Sequence, residues 1–287
     1  MSTFRGKYLT ADKAVQALIW IVLIGSCALV LLPLAFMFTA SAMPAIDILK
    51  LPYPWVSDHF HWQNFWNAIR GPEGTFEFAR NTVNSLIVAV SVSFFTVILS
   101  AVTGYGLAKF EFKGRNLVFM LIMATMMIPF ETIMIPLYMV VTNMGMQDSY
   151  MGLIIPFVAN AFGIFLMRQY LIPFPNEILD AARIDGASEP RIFTQVILPN
   201  SGPAIATLGI ISFRAQWDNL LWPLLIVQSD NMKTIPLYIT KFMAETHSDE
   251  GIMMAVAVLA SLPMFILFFT LSKYFVNTEG LTSSTKG

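Results

Sequence analysis

Charge is scarce in this sequence. Only 12% of its 287 residues are Asp, Glu, Lys or Arg, about half the share usual in water-soluble domains. In their place 56% are hydrophobic, and the mean hydropathy is +0.66, so water is not the main solvent of this chain. The 17 basic residues balance 18 acidic ones and form no dense cluster, which excludes the basic patch a nucleic-acid partner requires. Cysteine is nearly absent. Cys27 alone, inside an apolar run, makes neither an internal disulfide nor a multi-thiolate metal site and reads as a packing residue. With three histidines and one cysteine no nucleophile-base constellation can be assembled, so catalysis has little support. His59 and His61 lack a third ligand nearby, and the methionines at 120, 123, 126, 127 and 134 read as adaptable packing rather than metal ligands. No G-x-x-x-x-G-K-[ST] phosphate loop occurs, and the run Gly104-Tyr105-Gly106 does not replace one, so the chain is not expected to bind ATP itself.

Long apolar runs are plentiful. A hydrocarbon core of roughly 30 Å needs about 20 apolar residues in a helix, and six runs of that order occur. Their approximate limits are 15–38, 81–108, 117–141, 151–171, 203–227 and 252–275, within one transmembrane domain spanning the chain. The first run exceeds a signal-peptide core and lacks a small-residue cleavage pattern, so it is expected to stay as a helix. Lys and Arg distribute unevenly between the loops. One side collects Arg5, Lys7, Lys13, Lys109, Lys113, Arg115, Arg168, Arg183, Arg191, Lys273 and Lys286; the other only Lys50, Arg70, Arg80, Lys233 and Lys241. The positive-inside bias makes the richer side, with both termini, cytoplasmic. It puts the segment 40–80, with Trp55, Trp62 and Trp66, outside, where it can meet a soluble partner. The longest cytoplasmic connection is then 172–202.

That connection reads as two short helices around a glycine. Asn176 is expected to cap a helix starting at Glu177, with Asp180 near its first turn. Gly186 supplies the left-handed residue that ends it. Ser188 caps a second helix with Glu189-Pro190 in its first turn, and Pro199 is expected to stop it. Ala181 and Ala182 are small enough to admit another protein surface, while Ile178, Leu179 and Ile184 can fill grooves on it. The loop has the character of a docking knob, since a long ordered connection usually has a function; the plain alternative is a hairpin that merely joins two spans.

The string Asp180-Ala181-Ala182, then Gly186, Val196 and Leu198-Pro199, resembles the EAA loop of ABC-importer permeases, E-A-A-x3-G-x9-I-x-L-P, with Asp180 for Glu and Val196 for Ile. Ile184-Asp185-Gly186-Ala187-Ser188 is similar to the carbohydrate-importer branch, the family of the maltose transporter's smaller permease. Asn84-Ser85-Leu86, Gly104 to Ala108, Ile128-Pro129, Trp217 with Asn219 and Pro223, and Gly280-Leu281-Thr282 extend the likeness over most of the chain. The resemblance implies an all-α polytopic protein with the type I ABC-importer permease fold in the bacterial inner membrane. It implies that Glu177, Asp180, Ala181, Ala182, Arg183, Asp185 and Gly186 couple it to a separate ATP-binding subunit. It also implies a second permease subunit forming a heterodimer, two ATP-binding subunits that hold ATP and Mg, and an extracytoplasmic solute-binding protein. The tail 280–287 either reaches the ATP-binding subunits or frays.

Charges at mid-bilayer cost about 2.5 to 3.5 kcal/mol each on insertion scales. Arg214 and Asp218, four residues apart in the fifth run, are placed to pair on one helix face, and Gln216, Trp217 and Asn219 crowd the same turn. Such a belt suits a polar pathway, with amides and carboxylates for sugar hydroxyls and an aromatic ring for the sugar's apolar face; an internal ion pair holding helices together is the other reading. Glu131 lacks an evident partner on its own helix, and Asn160 is a weaker candidate, more often a helix-to-helix contact. The competing class is an ion-gradient-driven transporter using Glu131 and Asp218. That class predicts related halves, which the sequence does not display, and leaves the cytoplasmic hairpin unexplained.

Overall fold

The computed structural model describes residues 2–276 apart from 58, 73 and 244–248, and all regular elements among them are helical. The tail 280–287 lies outside these residues. The chain divides into two compact units, residues up to 74 with 242–259, and 75–241 with the chain from 260 onward.

The first unit opens with α1 (Ser2–Ser41), whose apolar stretch from Val15 is long enough to cross a membrane. Every side chain from Val15 to Pro33 is exposed, Cys27 included, so Cys27 is not the internal packing residue expected: α1 has no protein against its middle. A helix apolar all round and bare of protein is stable only in lipid or against another chain. After α1 come α2 (Ala45–Ile48) and α3 (Gln63–Arg70), structure inside the segment read as an external connection. Asn64 of α3 ties that helix to the end of α1. Its buried amide donates to the carbonyls of Ser41 at 3.1 Å and Met43 at 2.7 Å, satisfying acceptors that α1 leaves open at its end.

The second unit is built on α4 (Glu77–Lys109). Two broken rods follow: α5 (Arg115–Thr125) with α6 (Phe130–Asn143), bent by 95°, and α7 (Tyr150–Ile154), carried on by a 3-10 turn, with α8 (Ala161–Leu171), bent by 43°. The third apolar run is therefore not one helix. Pro129 has no N–H to continue the ladder and holds ψ at 138°, so the chain turns between Thr125 and Phe130. Next come α9 (Asn176–Ile184) and α10 (Glu189–Ile192), then a π turn at Phe193–Ile197 leading into α11 (Leu198–Asn200). Pro199 thus sits inside this rod rather than stopping it. The chain bends by 80° only at Ser201, into α12 (Gly202–Trp217). The fifth run is interrupted too: α12 ends at Trp217 and α13 spans Leu221–Ile226. α14 (Ile235–Ile239) precedes α15 (Glu250–Val276), which belongs to both units. Among the described residues three single helices, and three bent pairs if each pair is one span, are long and apolar enough to cross a membrane, which allows the expected count of six; the last pair, however, joins Glu189–Asn200 to Gly202–Trp217 and so does not coincide with the fifth run at 203–227.

Two glycines let α4 lie close to α8. A side chain on Gly104 would place its Cβ 2.7 Å from Met167 Cβ and 2.9 Å from the Arg168 amide nitrogen; one on Gly163 would meet Ser100 Oγ at 2.3 Å. Apolar burial does not drive helices together in lipid, so van der Waals contact at small residues carries such seams. Around this one, Ala101, Tyr105, Met167, Leu171, Ala204 and Leu208 are buried. A second core gathers Val88, Val92, Leu153, Trp222 and Ile226, with Trp222 Nε1 donating to the Gly152 carbonyl at 2.9 Å.

The polar start of α4 has a structural role. The Asn84 amide donates to the carbonyls of Asn231 and Lys233 at 2.8 and 2.9 Å and accepts from the Tyr150 hydroxyl at 2.6 Å. Ser85 Oγ accepts from the Ile235 amide at 2.8 Å, and Lys241 pairs with Glu77 at 2.5 Å and Asp230 at 3.0 Å. This straps the segment 231–241 onto α4.

The seam makes a direct prediction. Gly104→Ala is expected to destabilise the folded protein by about 1 to 3 kcal/mol, because the obstacles are a Cβ and a backbone nitrogen rather than a movable side-chain tip. Gly106→Ala, two residues away with open space around it, is expected to be close to neutral. Thermal unfolding in detergent followed by circular dichroism distinguishes the two.

Candidate functional site

The loop 172–202 folds as an elbow. α9 begins at Asn176 with Pro175 outside it, so Asn176 is helical and not the expected cap; its Oδ1 instead accepts from Lys109 Nζ at 2.8 Å. Lys109 also donates to the carbonyls of Ile172 at 3.2 Å and Phe174 at 2.5 Å, neutralising acceptors where α8 runs out. At the other end of α9 the expected glycine stop is present. Gly186 has φ +80°, and its amide and that of Ala187 donate to the Arg183 and Ala182 carbonyls, each at 3.0 Å. Ser188 takes the N-cap position of α10 in extended backbone, but its side chain makes no capping bond.

The elbow is two-faced. Leu179 is 1% exposed and packs with Ile192 and Ile197 into the α4–α8 core. It is therefore an anchor to its own bundle, and the expectation that it fills a partner's groove is corrected. A helix of period 3.6 that buries residue 179 and half-buries 182 must turn 178, 181 and 184 outward. Ile184 is accordingly 87% exposed and Ile178 47%, with Glu177, Asp180, Ala181, Asp185 and Gly186 exposed around them. Ala182 rests against the core, so of the two small residues Ala181 faces out. An apolar side chain as bare as Ile184, ringed by acidic groups and backbone, is a feature to be covered by another surface.

Charged groups brace the elbow across its corner. Arg183 Nη1 donates to Asp180 Oδ1 at 2.9 Å, Arg183 Nε donates to Glu189 Oε1 at 2.8 Å, and the Tyr105 hydroxyl of α4 donates to Glu189 Oε2 at 2.8 Å. The bond from Arg183 holds the Glu189 carboxyl below the usual carboxylate range; partial burial opposes this, and the Tyr105 hydroxyl adds to the lowering. Bonds to Glu189 and Asp180 push the Arg183 guanidinium up in turn, against a smaller desolvation effect. Residue order points to Asp180 and Arg183 here, to Glu189 only as a first-turn residue of α10, and to Tyr105 not as part of the site; the Tyr105–Glu189 contact joins positions 84 residues apart.

The membrane polar residues separate into distinct settings. Arg214 Nε and Asp218 Oδ2 pair at 3.3 Å as the spacing predicts, and both remain exposed, 72% and 58%. Asp218 is not at mid-helix: its amide closes the last turn of α12 at the break before α13. Asn219 donates to Gln216 Oε1 and accepts from the Trp222 amide, each at 3.3 Å, bridging that break. Trp217 parts from them. It is 3% exposed, stacked on Phe213 with ring centroids 5.6 Å apart, and its Nε1 donates to the Ala260 carbonyl at 3.0 Å, so its ring presents no open face for a sugar. Asn160 is spent on its own helix, its Oδ1 capping α8 through the Gly163 amide at 2.9 Å, which corrects the reading as a contact between helices. Glu131 stands exposed in the first turn of α6 without a hydrogen-bond or ion-pair partner among the described residues. No group of three metal-ligating side chains occurs among them either.

The chain belongs to the family described as binding-protein-dependent transport system inner membrane component, whose model matches residues 96–278. It is a transport-system permease subunit rather than an enzyme, and its helices are apolar enough for a multi-pass membrane protein. It is 36% identical to the arabinooligosaccharides transport system permease protein AraQ of Bacillus subtilis over 69% of this chain and 70% of that one. It is 32% identical to the sn-glycerol-3-phosphate transport system permease protein UgpE of Yersinia pestis over 93% and 95%. A crystal structure of a bacterial ABC transporter that imports the acidic polysaccharide alginate shares the fold, with TM-score 0.80 over 92% of this chain and 98% of that one, at 22% identity.

The brace carries a pH signature. A carboxyl more acidic in the folded than in the unfolded chain contributes stability that is complete above its ordinary pKa, near 4.5, and is lost as pH falls through the lowered folded value. Amide hydrogen exchange across 183–192 is expected to accelerate on acidification below that point, beyond the intrinsic change, and Glu189→Gln is expected to give fast exchange throughout with that acid step removed.

Proposed function

We propose that the chain is the membrane-spanning permease subunit of an ATP-driven importer in the bacterial inner membrane, passing a carbohydrate or related polar solute received from an extracytoplasmic binding protein. The observation that carries this reading is the elbow: an exposed Ile184–Gly186 tip on a root buried in the bundle, at the position of the family's coupling loop. A separate subunit binds ATP and Mg and seats that tip. A second permease completes the pathway, since the exposed Arg214–Asp218 pair at the α12–α13 break is costly against lipid. Closure of two ATP-binding subunits pushes the elbow, the pathway alternates between outward and inward access, and hydrolysis resets it.

A polar solute is supported by what relatives are named for, arabinooligosaccharides, lactose and sn-glycerol-3-phosphate, all rich in hydroxyl groups. Gln216, Asn219, Arg214 and Asp218 offer the donors and acceptors such a solute exchanges for water. Glu131 gives a gradient-driven mechanism its one foothold; its other carboxylate, Asp218, is already committed to Arg214.

Two substitutions test the reading in proteoliposomes holding the intact complex. Wild-type uptake is expected to require ATP and the binding protein. Ile184→Asp, which puts a charge on the exposed tip without touching the core, is expected to lower both uptake and recovery of the ATP-binding subunit by about tenfold, as for the loss of an interface anchor. Uptake independent of ATP, or unchanged by Ile184→Asp, contradicts it.

A further inference from the structure

The elbow is held to α4 at both of its ends, and by residues one helical turn apart. Lys109 collects the entry, through the carbonyls of Ile172 and Phe174 and the Asn176 side chain. Tyr105 collects the exit through Glu189. Residues four apart lie on one helix face, so a single edge of α4 grips both arms of the hairpin. Tyr105 is well placed for this. Its ring is 5% exposed, wedged edge-on to Phe110 at 5.3 Å and beside Phe193 at 5.8 Å, so the ring cannot swing and the hydroxyl has a fixed address.

Glu189 is the junction. Its Oε2 serves α4 and its Oε1 serves α9 through Arg183, which reaches on to Asp180 at the tip's edge. Pro190 follows Glu189 inside α10 and limits its backbone. Apolar anchoring by Leu179 and Ile192 holds the elbow against the bundle but is non-directional, and it leaves tilt and slide open. Hydrogen bonds to charged groups are directional and stronger than neutral ones, and this chain of them crosses the corner that has to stay rigid when the tip is pushed.

We infer that Tyr105, Glu189 and Arg183 form a strut that positions the elbow on α4, so that displacement of the tip moves the bundle rather than bending the loop. The inference rests on the importer reading above and adds residues to it that touch neither solute nor nucleotide. Its loss is slippage: ATP is hydrolysed without a matching solute crossing.

The test is the number of ATP molecules hydrolysed per solute imported, in proteoliposomes containing the intact complex and its binding protein. Tyr105→Phe deletes one hydroxyl and keeps the ring packing. It is expected to raise the ratio about tenfold, the lower end of the weight of one hydrogen bond to a charged partner, with the ATP-binding subunit recovered at wild-type stoichiometry. Glu189→Gln, which weakens both arms at a half-exposed position, is expected to raise it at least as much and serves if Tyr105→Phe does not assemble. A wild-type ratio in assembled variants overturns the strut, and so does loss of the ATP-binding subunit in both, which would make these contacts an assembly device. Wild-type uptake indifferent to ATP overturns the importer reading itself, a result read before any variant is compared.

Discussion

The close approach of α4 to α8 is the contact on which the second unit depends. Between membrane helices no hydrophobic force favours protein over lipid, so a seam has to be made by atoms that touch. Gly104 and Gly163 remove the two side chains that would hold the helices apart, and Met167, Leu171 and Leu208 fill in around them. The elbow follows from that seam. Leu179, Ile192 and Ile197 find a buried site only because α4, α8 and α12 meet beneath them, and Tyr105 is held still by the same core. The opposite end of α4 is organised by polar contacts instead: Asn84, Ser85 and Glu77 bond to the segment 231–241 and give it a fixed course.

On the proposed reading, the division of the elbow into a rooted face and a bare face would let a connection between spans act as a mechanical part: a partner covering the exposed isoleucine would gain affinity without refolding the elbow, and the root would pass load into the helices it packs on. The same division recurs at the α12–α13 break. Trp217 closes one side of the break by packing on Phe213 and bonding to Ala260, which leaves Arg214, Asp218 and Gln216 to face away from that core. An exposed ion pair is stable where water or another protein meets it and costly where lipid does, which is why the proposed pathway or second subunit is set against that side of α12.

Much of this was legible in residue order, and what was not has physical causes. Six apolar runs, the pairing of Arg214 with Asp218 and the glycine stop at Gly186 are local: they depend on length, on a four-residue spacing and on the φ that only glycine adopts at little cost. The breaks at Pro129 and after Trp217 were hidden because hydropathy averages over a window and is blind to where the backbone turns. Asn176 and Asn160 exchanged roles, the first bonding Lys109 and the second capping α8, since both suit either task and only the neighbour decides. Leu179 was misassigned because an amphipathic helix of nine residues shows that it has an apolar face, not whether its own chain or a partner covers it. The contact from Tyr105 to Glu189 has no signal in sequence spacing at all; a buried tyrosine's need for a hydrogen-bond acceptor is the sole hint.

If the strut holds, the elbow and the α4 bundle move as one body. Spin labels at Ser188, exposed on the elbow away from its Ile184 tip, and at Val102, exposed at 51% on α4, measure this by pulsed dipolar spectroscopy after Cys27→Ser removes the native thiol. In the assembled transporter the distance between the labels is expected to stay the same in resting and ATP-trapped states, while distances from either label to the second permease change. A shift of several ångströms between Ser188 and Val102 when nucleotide is trapped would mean that the loop bends independently of α4, and would contradict the strut.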